Sequence, residues 1–357
     1  MKTSFVSNLA IQNAMRLTIQ RSQADMIKLN DEISTGVHAD YGLALGGSTS
    51  RSVNISSQID RLATLKSTNS IVTQRLSGSQ EALKTTLDAA QKSLSSLMAF
   101  RNSNTDNLLK IAQDQNTAAM TTYTSSANTS LNGEYLFSGI NTDVKPMADY
   151  TATSAAKASY DAALTTFIGA QPVQVPPLTS VSQFTKEQMA DFIENTLEPM
   201  YADPSVAGSK WTDWSSASSQ NMTSRVSVNE VVQSSTNVNT EGARKFALAS
   251  VISKELLGAN LSDAVRGEVT DKAVKYMGEA VTGLISMQSN LGLSEERVKK
   301  ANTSIDSQTK IVKTYQLDVV GIDTVAAGVM VKTLQTQLEA SYTLTSRLQQ
   351  MSLLNFL

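Results

Sequence analysis

The single histidine of this 357-residue chain, His38, is the one imidazole that could act as a general base, proton shuttle or metal ligand, and it stands among glycines. With no cysteine and no second histidine, a zinc site would have to be built from carboxylates alone, which is unusual for that ion. A Ser-His-Asp relay would have to pass through His38, yet no G-x-S-x-G elbow presents a serine at a strand-to-helix turn. The run Gly42-Leu-Ala-Leu-Gly-Gly47-Ser-Thr has the glycines of a phosphate loop, but Ser48 stands where the lysine is required and no hydrophobic strand precedes it. Asp31 with Glu32, and Glu295 with Glu296, fall on polar helical segments and read as solvated faces. His38 reads as a solvated linker residue. Trp211 and Trp214 read first as packing residues, and second as a glycan or partner surface. These residues predict no catalytic set, no metal site and no cofactor.

Composition narrows the partners. Lys+Arg 30 against Asp+Glu 32 gives a net charge of −2 without a block of like charge, so neither nucleic acid nor a membrane surface is expected. The N-terminus lacks the apolar core of a Sec signal peptide, and no apolar run is long enough to span a bilayer. Proteins remain as partners. Aromatic residues are only 5%, which suits narrow helical seams better than a thick core.

The elements that must position these residues follow from the prolines. All six lie between Pro146 and Pro204, leaving two long arms in which helices can run without the lost donor and steric clash of an internal proline. In the first arm Met15, Ile19, Ser22, Met26, Leu29 and Ile33 step by four and three, a heptad seam with one polar member. Gly36, Gly42, Gly46 and Gly47 then mark a linker, and a second helix is expected to begin near Thr49 to Ser52. From Val53 to about Met120 the spacing predicts one very long helix with at most one break. In the second arm Val298, Ala301, Ile305, Gln308, Val312, Tyr315 and Val319 repeat the pattern. Val331, Leu334, Leu338, Ser341, Thr345 and Leu348 do so again beyond the expected breaks at Gly321 and Gly328. Further helices are expected over about 241–257 and 261–287.

Between the arms the texture changes. Glu134-Tyr-Leu-Phe-Ser, the alternation of Val173 and Val175, and Arg225-Val-Ser-Val-Asn read as short strands, with Pro172, Pro176 and Pro177 confining the second to an edge. Thr185-Lys-Glu-Gln188 reads as a capping box opening a short helix. The expected fold is therefore mainly α with an α+β insert: a long antiparallel helical coiled-coil rod formed by both chain ends. Three domains are expected: residues 1–40 with 320–357, residues 41–133 with 241–319, and an inserted domain at 134–240.

The two terminal helices are too short to cover their own apolar flanks. Leu9, Met15, Ile19, Met26, Leu29, Ile33, Val331, Leu334, Leu338, Leu348, Leu353, Leu354 and Phe356 are accordingly expected to engage partner subunits.

Particular strings carry a resemblance. Leu29-Asn-Asp-Glu-Ile-Ser-Thr-Gly36 is similar to the N-terminal signature of the flagellin superfamily. Leu334-Gln-Thr-Gln-Leu-Glu-Ala-Ser-Tyr342, with Arg347-Leu and the terminal Leu353-Leu-Asn-Phe-Leu357, is similar to its C-terminal one. Leu131-Asn-Gly-Glu-Tyr-Leu-Phe-Ser-Gly-Ile-Asn-Thr142 resembles the hook-filament junction branch, hook-associated protein 3. The linker 37–47 lacks the Asp-Asp-Pro-Ala type of sequence common in that family. The resemblance implies a non-enzymatic, extracellular adaptor between hook and filament, exported through the flagellar type III apparatus without a cleaved signal peptide. It implies hook-associated protein 1, flagellin and further copies of this chain as partners, and before export a chaperone masking Leu338, Leu348 and Leu354. Flagellin itself is the rival within the class, and a secreted glycan-binding protein the rival outside it.

Overall fold

The computed structural model describes residues 8–103, 105–171 and 178–354. In chain order the helices are α1 (Asn8–Thr35), α2 (Tyr41–Leu45), α3 (Thr49–Ser103), α4 (Asp106–Ala127), α5 (Ala155–Ala170), α6 (Lys186–Asp191), α7 (Glu198–Met200), α8 (Glu241–Val251), α9 (Asp263–Val320) and α10 (Thr324–Leu354). Strands β1 (Ser130–Leu131) and β2 (Glu134–Tyr135) form one antiparallel hairpin, and β3 (Thr223–Arg225) and β4 (Val231–Gln233) another. The expected class holds: helices dominate, the two chain ends pack together, and the strands among the described residues are confined to these hairpins, beside isolated antiparallel bridges. The chain divides into two compact units, Met1–Thr64 with Ser304–Leu357, and Leu65–Thr303.

In the first unit α1 packs along α10. Gln23 Nε2 donates to the Tyr342 hydroxyl at 2.9 Å, and Thr345 Oγ1 lies 3.8 Å from Met15 Sδ. α1 ends where Gly36 adopts φ +73° and returns its N–H to the Glu32 carbonyl at 2.8 Å, a conformation that a side chain would strain. α9 ends at Gly321, where a Cβ would meet the Leu317 carbonyl oxygen at 2.3 Å. Gly328, expected as a second break, lies inside α10 with open space around it; a lone glycine weakens a helix by about 1 kcal/mol without ending it.

The second unit contains the larger core. The long helix expected from Val53 toward Met120, with at most one break, is broken once and folds into a helical hairpin. α3 stops at Ser103 and α4 begins after Thr105, which has extended dihedrals (φ −99°, ψ 147°). Asn102, Ser103 and Thr105 flank the break, residue types that favour caps and turns over helix interiors. Ser93 on α3 and Asn116 on α4 then face one another in the core, and Asn116 Nδ2 donates to the Ser250 carbonyl on α8 at 2.9 Å. α9 is continuous for 58 residues, joining segments expected to be separate.

The β1–β2 hairpin turns through Asn132 (φ +53°) and Gly133 (φ +86°), the Asn-Gly pair suited to a two-residue turn. Thr185 and Gln188 form the expected capping box, with Thr185 N–H to Gln188 Oε1 at 2.9 Å and Gln188 N–H to Thr185 Oγ1 at 3.2 Å. α6 runs on through a π-helical turn, Phe192–Leu197, into α7. The expected strand at Arg225–Asn229 is displaced to Thr223–Arg225, because Val226 and Ser227 turn back to the Glu230 carbonyl. Residues 173 and 175 lie outside the described residues.

Candidate assembly site

Heptad spacing on α1 and α10 becomes a contact face. Ser22 is buried between half-buried Met15, Ile19, Met26, Leu29 and Ile33, and on α10 Leu338 is buried between half-buried Val331, Leu334, Ser341 and Thr345. The side chains of Leu9, Leu348, Leu353 and Leu354, and Phe356 as a whole, lie outside the described residues.

The same unit leaves apolar side chains uncovered. Leu17 and Ile27 project from α1, Val325, Val329, Met330 and Leu344 from α10, and Ile311 and Leu317 from the end of α9. Val325 is 76% exposed and Ile27 70%, values far from those of a core. Among the described residues, this smaller unit carries more of the exposed large apolar side chains than the larger one does. A helix pair that buries one stripe each and exposes another carries the signature of a partner surface.

The joint at the base of the pair is stitched by backbone. Val37 pairs antiparallel with Gly321, His38 N–H donates to the Val320 carbonyl at 3.0 Å, and Ile322 N–H to the Gly36 carbonyl at 3.1 Å. Glu32, expected on a solvated face, is instead buried at 6% exposure and accepts the Ala39 N–H at 3.0 Å. His38 is half-buried, its Nδ1 3.7 Å from the same Glu32 oxygen. Neither contact was legible locally, because both arise from the chain reversing at Gly36.

In the central unit the chemistry is that of packing. Trp211 and Trp214 are buried and stacked 6.1 Å apart at 12°, Trp214 stacks on Tyr150 at 4.9 Å, and Trp211 Nε1 donates to Asn239 Oδ1 at 2.7 Å. Their faces are consumed inside the unit, which removes the basis for a glycan platform. A cleft of about 520 Å³ is lined by hydroxyls of Thr117, Thr121 and Thr124 and by Lys145, Asp149 and Lys254, with Lys145 and Asp149 paired at 3.1 Å. Among the described residues no cluster of three His, Cys, Asp or Glu is placed to hold a metal, and no helix is long and apolar enough to cross a membrane.

Two polar clamps fasten the central unit. Buried Arg75 donates to Glu134 Oε2 at 2.6 Å and to the Tyr135 carbonyl at 3.0 Å, tying the β1–β2 hairpin to α3. Lys245 on α8 pairs with Glu198 on α7 and Glu279 on α9, while Tyr276 donates to Glu198 at 2.6 Å. Burial disfavours the charged form of Glu198, but hydrogen bonds from Lys245 and Tyr276 outweigh it and hold the carboxyl below its ordinary range. Burial likewise opposes the Lys245 charge, and hydrogen bonds to Glu198 and Glu279 prevail and raise it.

Comparison with known proteins gives two matches to one family. Residues 6–142 match the bacterial flagellin N-terminal helical region, and residues 274–357 the bacterial flagellin C-terminal helical region. A solved structure described as a flagellar hook-associated protein from Vibrio parahaemolyticus is similar in fold, with a TM-score of 0.51 and 12% identity, covering 76% of this chain and 97% of that one. No curated protein sequence matches the chain.

Proposed function

The chain belongs to the bacterial flagellin family, a family of structural, self-assembling flagellar subunits, and from that premise we propose that it is the adaptor joining the hook to the flagellin filament. The terminal pair α1–α10, with Met15, Ile19, Met26, Leu29, Ile33, Val331, Leu334 and Leu338 on its inner seam, enters the axial assembly through the apolar side chains it leaves uncovered, among them Leu17, Ile27, Val325 and Val329, together with Leu9, Leu348, Leu353, Leu354 and Phe356. Hook-associated protein 1 on one side, flagellin on the other and copies of this chain in a ring are its partners. Before assembly it leaves the cell by type III export, with a chaperone over Leu338, Leu348 and Leu354.

The observation that carries the assembly reading is the uncovered apolar surface of a unit matched at both chain ends to the family. The junction position is supported by the string Leu131–Thr142, whose Glu134 and Tyr135 are gripped by Arg75, and by the description of the solved neighbour. Filament flagellin is the second reading, favoured by the family matches themselves. Seeded growth separates them. Purified chain added to hook-capped seeds should deposit a limited layer that then accepts flagellin; unlimited elongation by this chain alone would identify a filament subunit.

A further inference from the structure

The turn of the β1–β2 hairpin holds the chain's one Asn-Gly step, Asn132-Gly133. Both residues are exposed, and among the described residues nothing hydrogen-bonds the Asn132 side chain. A Cβ built on Gly133 would meet nothing within 4 Å, so no side chain, its own or a neighbour's, crowds that side of the glycine. Other asparagines of the central unit are occupied. Asn69, which precedes Ser70, is fully buried and donates to the Val226 carbonyl at 2.9 Å and to Asn302 Oδ1 at 2.8 Å. Asn128 is bound through both side-chain polar atoms to the Met147 backbone. The flanks of the turn are fastened as well: Arg75 holds Glu134 and the Tyr135 carbonyl, Tyr135 N–H donates to the Thr142 carbonyl at 2.8 Å, and Leu136 N–H to the Thr129 carbonyl at 3.0 Å.

We propose that Asn132 is a site of spontaneous deamidation whose rate is set by opening of this turn, with Arg75 as the residue that holds the turn shut. The Gly133 backbone nitrogen, losing its proton to a solvent base, attacks Asn132 Cγ. The new C–N bond closes a five-membered succinimide as the Cγ–Nδ2 bond breaks and ammonia leaves. Water then opens one of the two ring carbonyls, giving either aspartate or a backbone rerouted through Cβ and Cγ. One water enters, one ammonia departs and nothing is oxidised. Asn132 has φ +53°, and a left-handed backbone turns the following nitrogen away from the residue's own Cβ, so the ring cannot close from the folded turn. Rotation at Asn132 must undo the turn first, and Gly133 offers that rotation little steric resistance. Both products place a negative charge beside Glu134. The rerouted backbone also gains one main-chain atom, which a two-residue turn joining Leu131 to Glu134 has no room for.

This chemistry does not depend on where in a flagellum the protein sits, and it is tested on the isolated full-length chain in mildly alkaline buffer. Peptide mass mapping follows the unit mass gain at each asparagine over time, in native chain and in chain unfolded by guanidinium. Asn132 should convert fastest of all in the unfolded chain. In the native chain it should be slower by on the order of tenfold, yet still ahead of Asn69 and Asn128. Arg75→Ala, and more mildly Glu134→Gln, should raise the native rate by about two- to tenfold and leave the unfolded rate unchanged. Helical circular dichroism and continued protection of Asn69 show that each variant keeps its fold, and Glu134→Gln, at an exposed position, carries the comparison if Arg75→Ala does not fold. A native Asn132 that converts no faster than Asn69 would overturn the site. Equal native and unfolded rates, or a native rate unmoved in the folded variants, would overturn its control by the turn.

Discussion

Gly242 at the start of α8 and Gly283 in the middle of α9 meet backbone to backbone. A Cβ on Gly242 would lie 2.7 Å from the Gly283 Cα, and one on Gly283 would lie 2.4 Å from the Gly242 Cα. The crossing brings Phe246, Leu248, Val251 and Ile252 of the α8 limb into the core, all fully buried. A glycine that weakens α9 locally thus permits the contact that gives the central unit its depth.

Gly283→Ala should therefore destabilise the chain by about 1–2 kcal/mol, because forced separation of the helices outweighs the gain in helix propensity. Gly278→Ala, five residues earlier on α9 with nothing within 4 Å of its built Cβ, is the matched control and should be neutral or up to about 1 kcal/mol stabilising. Urea unfolding of both variants checks the pair.

Arg75→Ala should cost about 1–2 kcal/mol, since it removes the Glu134 partner and one of two donors to the Tyr135 carbonyl, which keeps the Ser138 hydroxyl at 3.0 Å. Arg75→Lys should not restore stability, because an ammonium cannot serve both acceptors with the geometry of a planar fork. Thermal unfolding, with proteolysis at the 130–136 hairpin as the local readout, reports both.

The Glu198 clamp predicts a pH dependence with a definite sign. Its folded carboxyl titrates below its unfolded one, so its stabilisation is present above the ordinary glutamate value of about 4.3 and disappears as pH falls through the folded value. Glu198→Gln should lower stability at neutral pH by about 1 kcal/mol, discounted for its partial exposure, and the gap from wild type should narrow as pH falls below the ordinary glutamate range. Lys245 behaves oppositely: its contribution persists through neutral pH and is lost only at strongly alkaline pH. Unfolding midpoints measured from acid to alkaline pH test both limbs.

A charge on the terminal seam should separate folding from assembly. Leu338 is 7% exposed against α1, so Leu338→Glu places a carboxylate in the seam and should abolish incorporation into hook-capped seeds. The central unit, Leu65–Thr303, should keep its helicity by circular dichroism because its core includes no residue of α10.

Periodicity was a dependable guide where a residue's environment is set by its own helix. Met15, Ile19, Ser22, Met26 and Leu29 fall on the contact face as their spacing predicts, and the Thr185–Gln188 box is a purely local interaction. It failed where tertiary contacts decide. Gly283 looks like a weak point in α9 until Gly242 is brought against it, and Glu32 looks solvated until Ala39 and His38 fold back over it. α5 escaped notice because Ala155–Ala170 shows little amphipathic contrast; Ser154, whose hydroxyl accepts the Lys157 N–H at 3.2 Å, was the available cue. The α1–α10 seam was legible from spacing, while the exposed second stripe, the proposed assembly surface, became visible only once α1 and α10 had used their first.

Immunogold labelling of isolated flagella with antibody against this chain tests the central claim most directly. The adaptor reading predicts label confined to the boundary between hook and filament. Label distributed along the filament would contradict it and make the chain a filament subunit.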